Sequence, residues 1–490
     1  MKILLVSPAT PDTFWSYKHA LPFVSKRAAF PPLGLLTVAA MLPDDWQLRL
    51  VDLNVTRLAD AAIEWADYVF ISAMIVQEAS ARGVAARSAA LGKPVIAGGP
   101  LFTTGHHRFP EIPHFVVGEA EGIMPRLLSD LTAGCLRPIY QDPEKPQLGD
   151  TPVPRWDLIN LRHYASMSVQ FSRGCPFNCE FCDIVAMYGR VPRVKTPAQM
   201  LAELDALVDA GWKSGIFIVD DNFIGHKARV KELLRALIEW RARRKVRLPF
   251  ITEASLNLVD DPELLELMVA AGFKSVFIGL ETPDEQSLAE CAKFQNSSRD
   301  LVAAVREIQN AGLQVLGGFI VGFDHDSPSI FERQWRFIQD AGVVTAMVGL
   351  LNALPQTRLY ARLKEEGRLL GESTGNNLDA VLNFIPKLDR ETLLTGYREL
   401  VQRLYAPQAY YRRALTFLRE YRERGPRARF RWRDLRALLR SFWVVGVRNR
   451  GRREYWKYFA KALLLYPRAF GEAMHLAIVG HHFRRVAASL

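Results

Sequence analysis

The sequence predicts an α/β chain in three parts: a doubly wound parallel sheet, a partial (β/α)6 barrel and an α-helical C-terminal region. Three observations predict it. Nearly continuous apolar strands alternate with helical patterns over residues 1–136, as expected for strands buried on both faces. About six further strand–helix units follow a Pro-rich stretch, which fits a partial barrel. From residue 363 the alternation stops and helical periodicity takes over. The expected boundaries are therefore 1–136, a linker at 137–156, 157–362 and 363–490.

The first part offers five strands, at Ile3–Ser7, Leu48–Leu53, Tyr68–Ala73, Pro94–Gly99 and His114–Gly118. Met1–Val6 lacks the cationic start, long apolar stretch and cleavage site of a signal peptide, and reads as a buried strand. Doubly wound sheets bind ligands beyond the carboxyl ends of their strands. Those ends carry Ser72, Gly98, Gly99, Gly118 and Glu119. Small residues there let a bulky ligand reach the backbone, although ordinary tight turns would read the same way.

Pro138, Pro143, Pro146, Pro152 and Pro154 crowd the linker and imply an extended boundary. Beyond it, strands are predicted at Ser166–Phe171, Gly215–Val219, Leu248–Ala254, Ser275–Leu280, Gln314–Val321 and Thr345–Leu351. Helices separate them. Thr196-Pro197 opens the first, with Thr as N-cap and Pro at the first helical position, and Met200, Leu201, Leu204, Leu207 and Val208 form its apolar face. Others are expected at Val230–Arg241, Pro262–Ala270, Arg299–Gln309 and Phe331–Gln339. A barrel of this type keeps its site at the carboxyl ends of the strands.

The C-terminal region shows helical stretches at Arg390–Tyr405 and Tyr410–Tyr421. From Tyr421 onward, 17 Lys/Arg face 4 Asp/Glu, a net of +13 against +11 for the whole chain, so the basicity belongs to the tail. Arg427–Arg440 interleaves arginine with Phe430, Trp432, Leu435, Leu438 and Leu439, and Trp443 and Tyr455–Phe459 follow. Residues 425–490 suit the surface of an anionic membrane first, a helical lid packed on the barrel second, and nucleic acid last. No run of about 18 apolar residues is present, so no membrane-spanning helix is predicted. A cytoplasmic protein, able to sit on the inner face of a membrane, is expected. Five cysteines in 490 residues argue for a reducing compartment and against a disulfide scaffold.

Three of those cysteines carry the chemistry. Cys175, Cys179 and Cys182 stand in Cys-x-x-x-Cys-x-x-Cys spacing, close enough to grip three irons of a 4Fe–4S cubane. No fourth cysteine lies nearby in the sequence, which leaves one iron open for a ligand. Structural zinc normally takes four Cys/His ligands in paired spacings, and His163 and His226 lack that pairing. Disulfides would leave an odd thiol. Cys135 and Cys291 read as structural thiols.

This motif, with Phe181 between its last two cysteines, resembles the radical S-adenosylmethionine enzymes. The preceding segment, with Pro31-Pro32-Leu33-Gly34-Leu35 and Gly98-Gly99-Pro100, looks like the Rossmann-like cobalamin-binding domain fused to one branch of them. Asp220-Asp221-Asn222-Phe223, Gly279-Leu280-Glu281, Lys293–Asn296 and Gly317–Gly322 are similar to motifs of that branch. The segment around Asn383–Lys387 resembles a subgroup that includes hopanoid C-2 methyltransferases. The resemblance covers about residues 1–425.

It implies a 4Fe–4S cluster, S-adenosylmethionine, cobalamin, a reducing electron donor and a hydrophobic, lipid-like substrate methylated at an unactivated carbon. Radical ring formation, C–C bond formation or oxidation without methyl transfer stays open beside it, as does a redox-sensing, membrane-binding protein whose cluster does no catalysis. The resemblance also implies residue roles. Phe181 would pack on the adenine. Asp220, Asp221 and Asn222, ending a strand at the site face, would meet the methionine ammonium or the substrate, or else cap the next helix. Glu281 would take the ribose hydroxyls or the ammonium. Gly317 and Gly318 would open space beside the adenosyl group. Ser72, Gly98, Gly99, Gly118 and Glu119 would meet cobalamin. The Asp-x-His-x-x-Gly loop of other cobalamin proteins is absent, and His106 and His107 lack its surroundings, so no histidine ligand to cobalt is expected. Tyr17 and His19 could face the cofactor, but a structural role is the first reading.

Overall fold

A computed structural model of the chain describes all residues except 377, 423 and 425–431. Strands β1 (Lys2–Ser7), β2 (Gln47–Asp52), β3 (Tyr68–Ser72), β4 (Val95–Gly98), β5 (His114–Val117) and β6 (Ile139–Gln141) form one parallel sheet in the order β2-β1-β3-β4-β5-β6. The strand order switches direction between β1 and β3, the point beyond whose carboxyl ends doubly wound sheets bind ligands. Leu4 and Val6 of β1 pack into the core on one face, and Ile3 and Leu5 into the core on the other. That is why the strand reads as continuously apolar rather than alternating. Strand β6 was not expected. It falls within the Pro-rich stretch predicted as linker, between Pro138 and Pro143, and adds an edge where a missing N–H costs least.

The second sheet runs β14-β13-β12-β11-β10-β7, again all parallel. Its strands are β7 (Ser166–Val169), β10 (Gly215–Ile218), β11 (Phe250–Ala254), β12 (Phe273–Glu281), β13 (Gln314–Val321) and β14 (Ala346–Leu350). Helices Pro197–Asp209, Lys227–Arg244, Pro262–Ala271, Leu301–Ala311 and Ile330–Asp340 connect them. Thr196 caps the first of these through a reciprocal bond with Gln199, and Pro197 occupies its first turn. A two-stranded antiparallel ribbon, β8 (Ser172–Arg173) with β9 (Arg193–Val194), brackets the cysteine loop. Two-residue strands have no periodicity to read in a sequence.

The C-terminal region is helical at Arg390–Tyr405, Pro407–Glu420, Trp432–Val444, Arg452–Leu465 and Phe470–Ala487. The last of these is a core helix: Leu476, Ala477 and Phe483 are fully buried, and Phe483 stacks on Phe14 with ring centroids 5.2 Å apart. Tyr410 donates its hydroxyl to the Leu476 carbonyl at 2.6 Å. The fully buried Arg413 donates to the carbonyls of Leu404 (3.0 Å) and Val344 (3.2 Å), tying these helices to the barrel. Within the basic tail, the helix Phe470–Ala487 is thus packed against the rest of the chain, whereas Trp432, Trp443 and Leu464 are exposed. Arg427 and Phe430, the start of its predicted amphipathic stretch, lie outside the described residues.

Candidate functional site

The cysteine loop hangs from β7, and its entry is held by Asp220, which follows β10. Asp220 is fully buried and accepts from the Phe171 N–H (2.7 Å), the Ser172 N–H (2.8 Å) and the Ser172 hydroxyl (2.6 Å). Burial pushes its carboxyl up to about 6, against the pull of those bonds. Its acceptors are therefore committed to the loop rather than free for the methionine ammonium or a substrate, and it caps no helix. Gly174 is the next fixed point: its φ is +98°, and a Cβ there would lie 3.0 Å from the Gly189 carbonyl oxygen.

Cys179 is buried, and Cys175 and Cys182 are partly so. Two amide donors address their sulfurs: Asn222 Nδ2 lies 3.7 Å from Cys175 Sγ, and Gln295 Nε2 lies 3.7 Å from Cys179 Sγ. Asn222 is oriented by Ser255, whose N–H and hydroxyl both donate to its Oδ1 at 3.3 Å. Burial pushes the Cys175 and Cys182 thiols up, so metal binding must displace protons. Among the described residues, no three His, Cys, Asp or Glu side chains converge as one metal ion would require. A cluster gives each cysteine its own iron, and hydrogen bonds to sulfur tune such clusters. The donor set fits that group.

Glu281 ends β12 in the left-handed region, φ +62°, where the register with β13 shifts. It is buried and pairs with Lys293 at 2.8 Å. Burial works against the Lys293 ammonium, but Glu281 and Cys179 hold it protonated above the usual lysine range. A Cβ on Gly279 would sit 2.3 Å from Glu281 Oε1 and 2.8 Å from Lys293 Nζ. Asn296 Nδ2 donates to the carbonyls of Gly279 (2.9 Å) and Leu280 (3.1 Å), which holds the strained strand end. Phe181 lies beside this pair, its ring centroid 5.9 Å from Lys293 Nζ and 6.3 Å from the Phe323 ring.

The two glycines of β13 part company. A Cβ on Gly318 would meet the Phe277 ring at 2.8 Å, on the barrel's inner side. One on Gly317 would strike Phe319 at 2.6 Å and Val343 at 2.9 Å, in the core under the helices. The space at Gly317 is thus filled by protein, correcting the expectation that both glycines make room for a ligand.

At the first sheet, Gly99 has φ +92°, and a Cβ there would lie 2.7 Å from Ser72 Oγ and 3.1 Å from the Ala73 carbonyl oxygen. Gly98 makes ordinary contact with Val116, whereas Gly118, φ +99°, faces open space. Gly118 therefore leaves an open strand end that a cofactor could approach, whereas protein already fills the space at Gly98 and Gly99. Glu119 does not join them. Its buried carboxylate pairs with Arg173 (2.8 Å) and Arg193 (2.7 Å), and Glu121 pairs with Arg173 (2.8 Å). The expected cobalamin residue instead locks the first sheet to the ribbon that carries the cysteine loop.

Sequence reasoning missed the barrel lumen. Val276 and Ile278 of β12 are fully buried under helices, so Phe277 and its register mate Glu253 face inward. Leu316, Gly318 and Met347 continue that face. Trp15, from the segment after β1, stacks on Phe217 at 5.9 Å and meets Phe277 at 5.2 Å. Burial, then the nearby Asp221 and Asp220, push the Glu253 carboxyl up to about 8. Asp221 rises to about 7 for the same first reason, and its Oδ2 has no partner among the described residues. One charged residue at an inward position of an otherwise uncharged strand, Phe250–Ala254, was the available signal. Tyr17 and His19 pack near His482, and Cys291 is a buried thiol whose carbonyl accepts from Glu180 at 2.9 Å.

Comparison with known proteins agrees with this arrangement. Residues 25–128 match the B12 binding domain, 169–338 the Radical SAM superfamily, and 357–490 a domain of unknown function. The chain is 42% identical over 99% of its length to an uncharacterised methyltransferase of Synechocystis sp., covering 91% of that protein. It is 33% identical over 94% of its length to the hopanoid C-2 methylase of Rhodopseudomonas palustris, covering 89% of it. Its fold matches that of the cobalamin-dependent S-adenosylmethionine radical enzyme OxsB with TM-score 0.63 and 15% identity, over 100% of this chain and 79% of that one.

Proposed function

Because the chain belongs to the cobalamin-dependent radical S-adenosylmethionine methyltransferase family, we propose that it methylates an unactivated carbon of a hydrophobic, lipid-like molecule. The observation that supports the substrate class is the apolar patch of Phe217, Ile251, Phe277, Leu316 and Met347 on the inner face of the barrel, beside the inward-facing Glu253. Such a surface gains by desolvating an apolar ring system and offers little to a polar one. The relationship to a hopanoid C-2 methylase supports the same class.

When bound, the cluster and S-adenosylmethionine supply hydrogen-atom removal from carbon, and cobalamin supplies the methyl group. Cys175, Cys179 and Cys182 would hold the cluster, with Asn222 and Gln295 donating toward its sulfurs. Glu281 and Lys293 present a fixed pair of opposite charges beside Phe181, suited to the zwitterionic end and hydroxyls of S-adenosylmethionine. A corrin would rest near the strand ends Ser72, Gly98, Gly99 and Gly118, with its open approach at Gly118. Trp15 and Phe277 exclude water from the lumen.

The reading also sets the C-terminal helices against an anionic membrane, from which an apolar substrate would be drawn. Trp432, Trp443 and Leu464 are 81%, 60% and 77% exposed among arginines and lysines. No helix among the described residues is long and apolar enough to cross a membrane, so contact would be peripheral. Anaerobically reconstituted protein, given a reductant and a polycyclic lipid extract, is expected to release S-adenosylhomocysteine and 5′-deoxyadenosine in equal amounts with methylated product. Release of 5′-deoxyadenosine without S-adenosylhomocysteine would overturn methyl transfer.

A further inference from the structure

The segment Lys18–Phe23 and the helices Trp432–Val444 and Phe470–Ala487 line a cleft of about 520 Å³ that is open to the surface. Its charged lining is cationic: Lys18, Arg440 and Arg485. Arg440 donates through Nη1 to the carbonyls of Pro22 and Phe23 and to Ser25 Oγ (2.8 Å), and its other guanidinium nitrogens have no hydrogen bond among the described residues. Arg485 makes no ion pair among the described residues, and Asp12 answers only Lys18 (2.9 Å) and His19 (3.2 Å). His481 also lines the cleft, with a buried Nδ1 that has no partner among the described residues. Burial, then Arg484, His19 and Arg485, push that imidazole down to about 4, so at neutral pH it is an uncharged hydrogen-bonding group in a positive field.

The cleft shares a helix with the exposed apolar face. Leu439 and Trp443 project to solvent one helical turn apart, beside the cleft residues Arg440 and Val444, and the exposed Val447 follows in the turn after the helix. An apolar face that enters the acyl boundary would bring the cleft to headgroup depth. We infer that the cleft binds the phosphate of an anionic phospholipid headgroup while the Leu439–Val447 face enters the bilayer interface. This rests on the membrane contact proposed above and gives it a specific ligand.

Sedimentation of the full chain with vesicles of phosphatidylglycerol and phosphatidylcholine, against phosphatidylcholine alone, tests it. Lys18→Ser/Arg485→Ser is expected to weaken binding to the anionic vesicles about tenfold and leave phosphatidylcholine binding unchanged. Lys18→Arg/Arg485→Lys keeps the charge and should bind like the parent chain. Arg229→Ser/Arg235→Ser, on an exposed barrel helix, removes equal charge elsewhere and should lower binding less than twofold. If the cleft variant falls no further than this control, the headgroup site is wrong and the membrane contact stands. If the parent chain ignores anionic vesicles, both fall. If titration with glycerol phosphate alone shows tight binding that the cleft variant loses, while vesicle binding is unaffected, the site serves a soluble phosphate and the inference is overturned.

Discussion

Asp220 Oδ2 accepts from both the backbone N–H and the hydroxyl of Ser172, at 2.8 and 2.6 Å, and so fixes the start of the cysteine loop from a neighbouring strand. Replacing it leaves three buried donors unsatisfied, at about 1–3 kcal/mol each. Asp220→Ala is expected to lower both thermal stability and iron content after anaerobic reconstitution. Asp220→Asn, which keeps an acceptor, should recover part of each. Full iron content with normal stability in Asp220→Ala would refute the clamp.

Glu119 makes a different claim. Its two arginine partners are largely shielded with it, and removing one member of such a set costs up to about 3–5 kcal/mol. Glu119→Ala should lower the melting temperature, yet the folded fraction should bind cobalamin with an affinity close to that of the parent chain. Absorbance titration with cobalamin below the melting range separates this from a direct contact, in which affinity falls and stability does not.

The acids near the lumen give a pH dependence with a definite sign. Burial raises Glu253 to about 8 and Asp221 to about 7, above their unfolded values of 4.5 and 3.8. The folded chain therefore holds protons that the unfolded chain releases. The stability tied to these neutral acids is fully present below about pH 4, declines as pH rises, and is gone above about pH 8. The melting temperature should fall between pH 6 and 9, and fall less in Glu253→Gln. Identical slopes for the two proteins would show that Glu253 does not carry the effect.

The amide donors near the sulfurs predict an electronic effect. Gln295→Leu removes the N–H that addresses Cys179. Hydrogen bonds to sulfur stabilise the reduced cluster, so the variant should keep its iron but show a more negative reduction potential by EPR-monitored titration. An unchanged potential would mean that the amide does not address the cluster.

Both sheets were legible because their strands are apolar on two faces, and the boundaries of β1, β10 and β13 fall within one residue of their predicted limits. The helix Arg390–Tyr405 was read to the residue. Strand β6 and the β8–β9 ribbon were not legible, since three or fewer residues carry no period. Gly317 and Gly318 look equivalent in sequence, yet alternation along β13 sends one into packed core and the other toward the lumen.

By itself the sequence determined the three-cysteine motif, the order of the two parallel sheets and the concentration of positive charge in the tail. These are local quantities, written in spacing, periodicity and composition. Only the tertiary structure decided which acids are engaged. Asp220 is held to a loop 48 residues away, Glu119 to an arginine 54 residues away, and Glu253 has no such partner among the described residues. A carboxylate's role depends on what distant chain brings to it, because burial makes charge costly and only a neighbour can offset it.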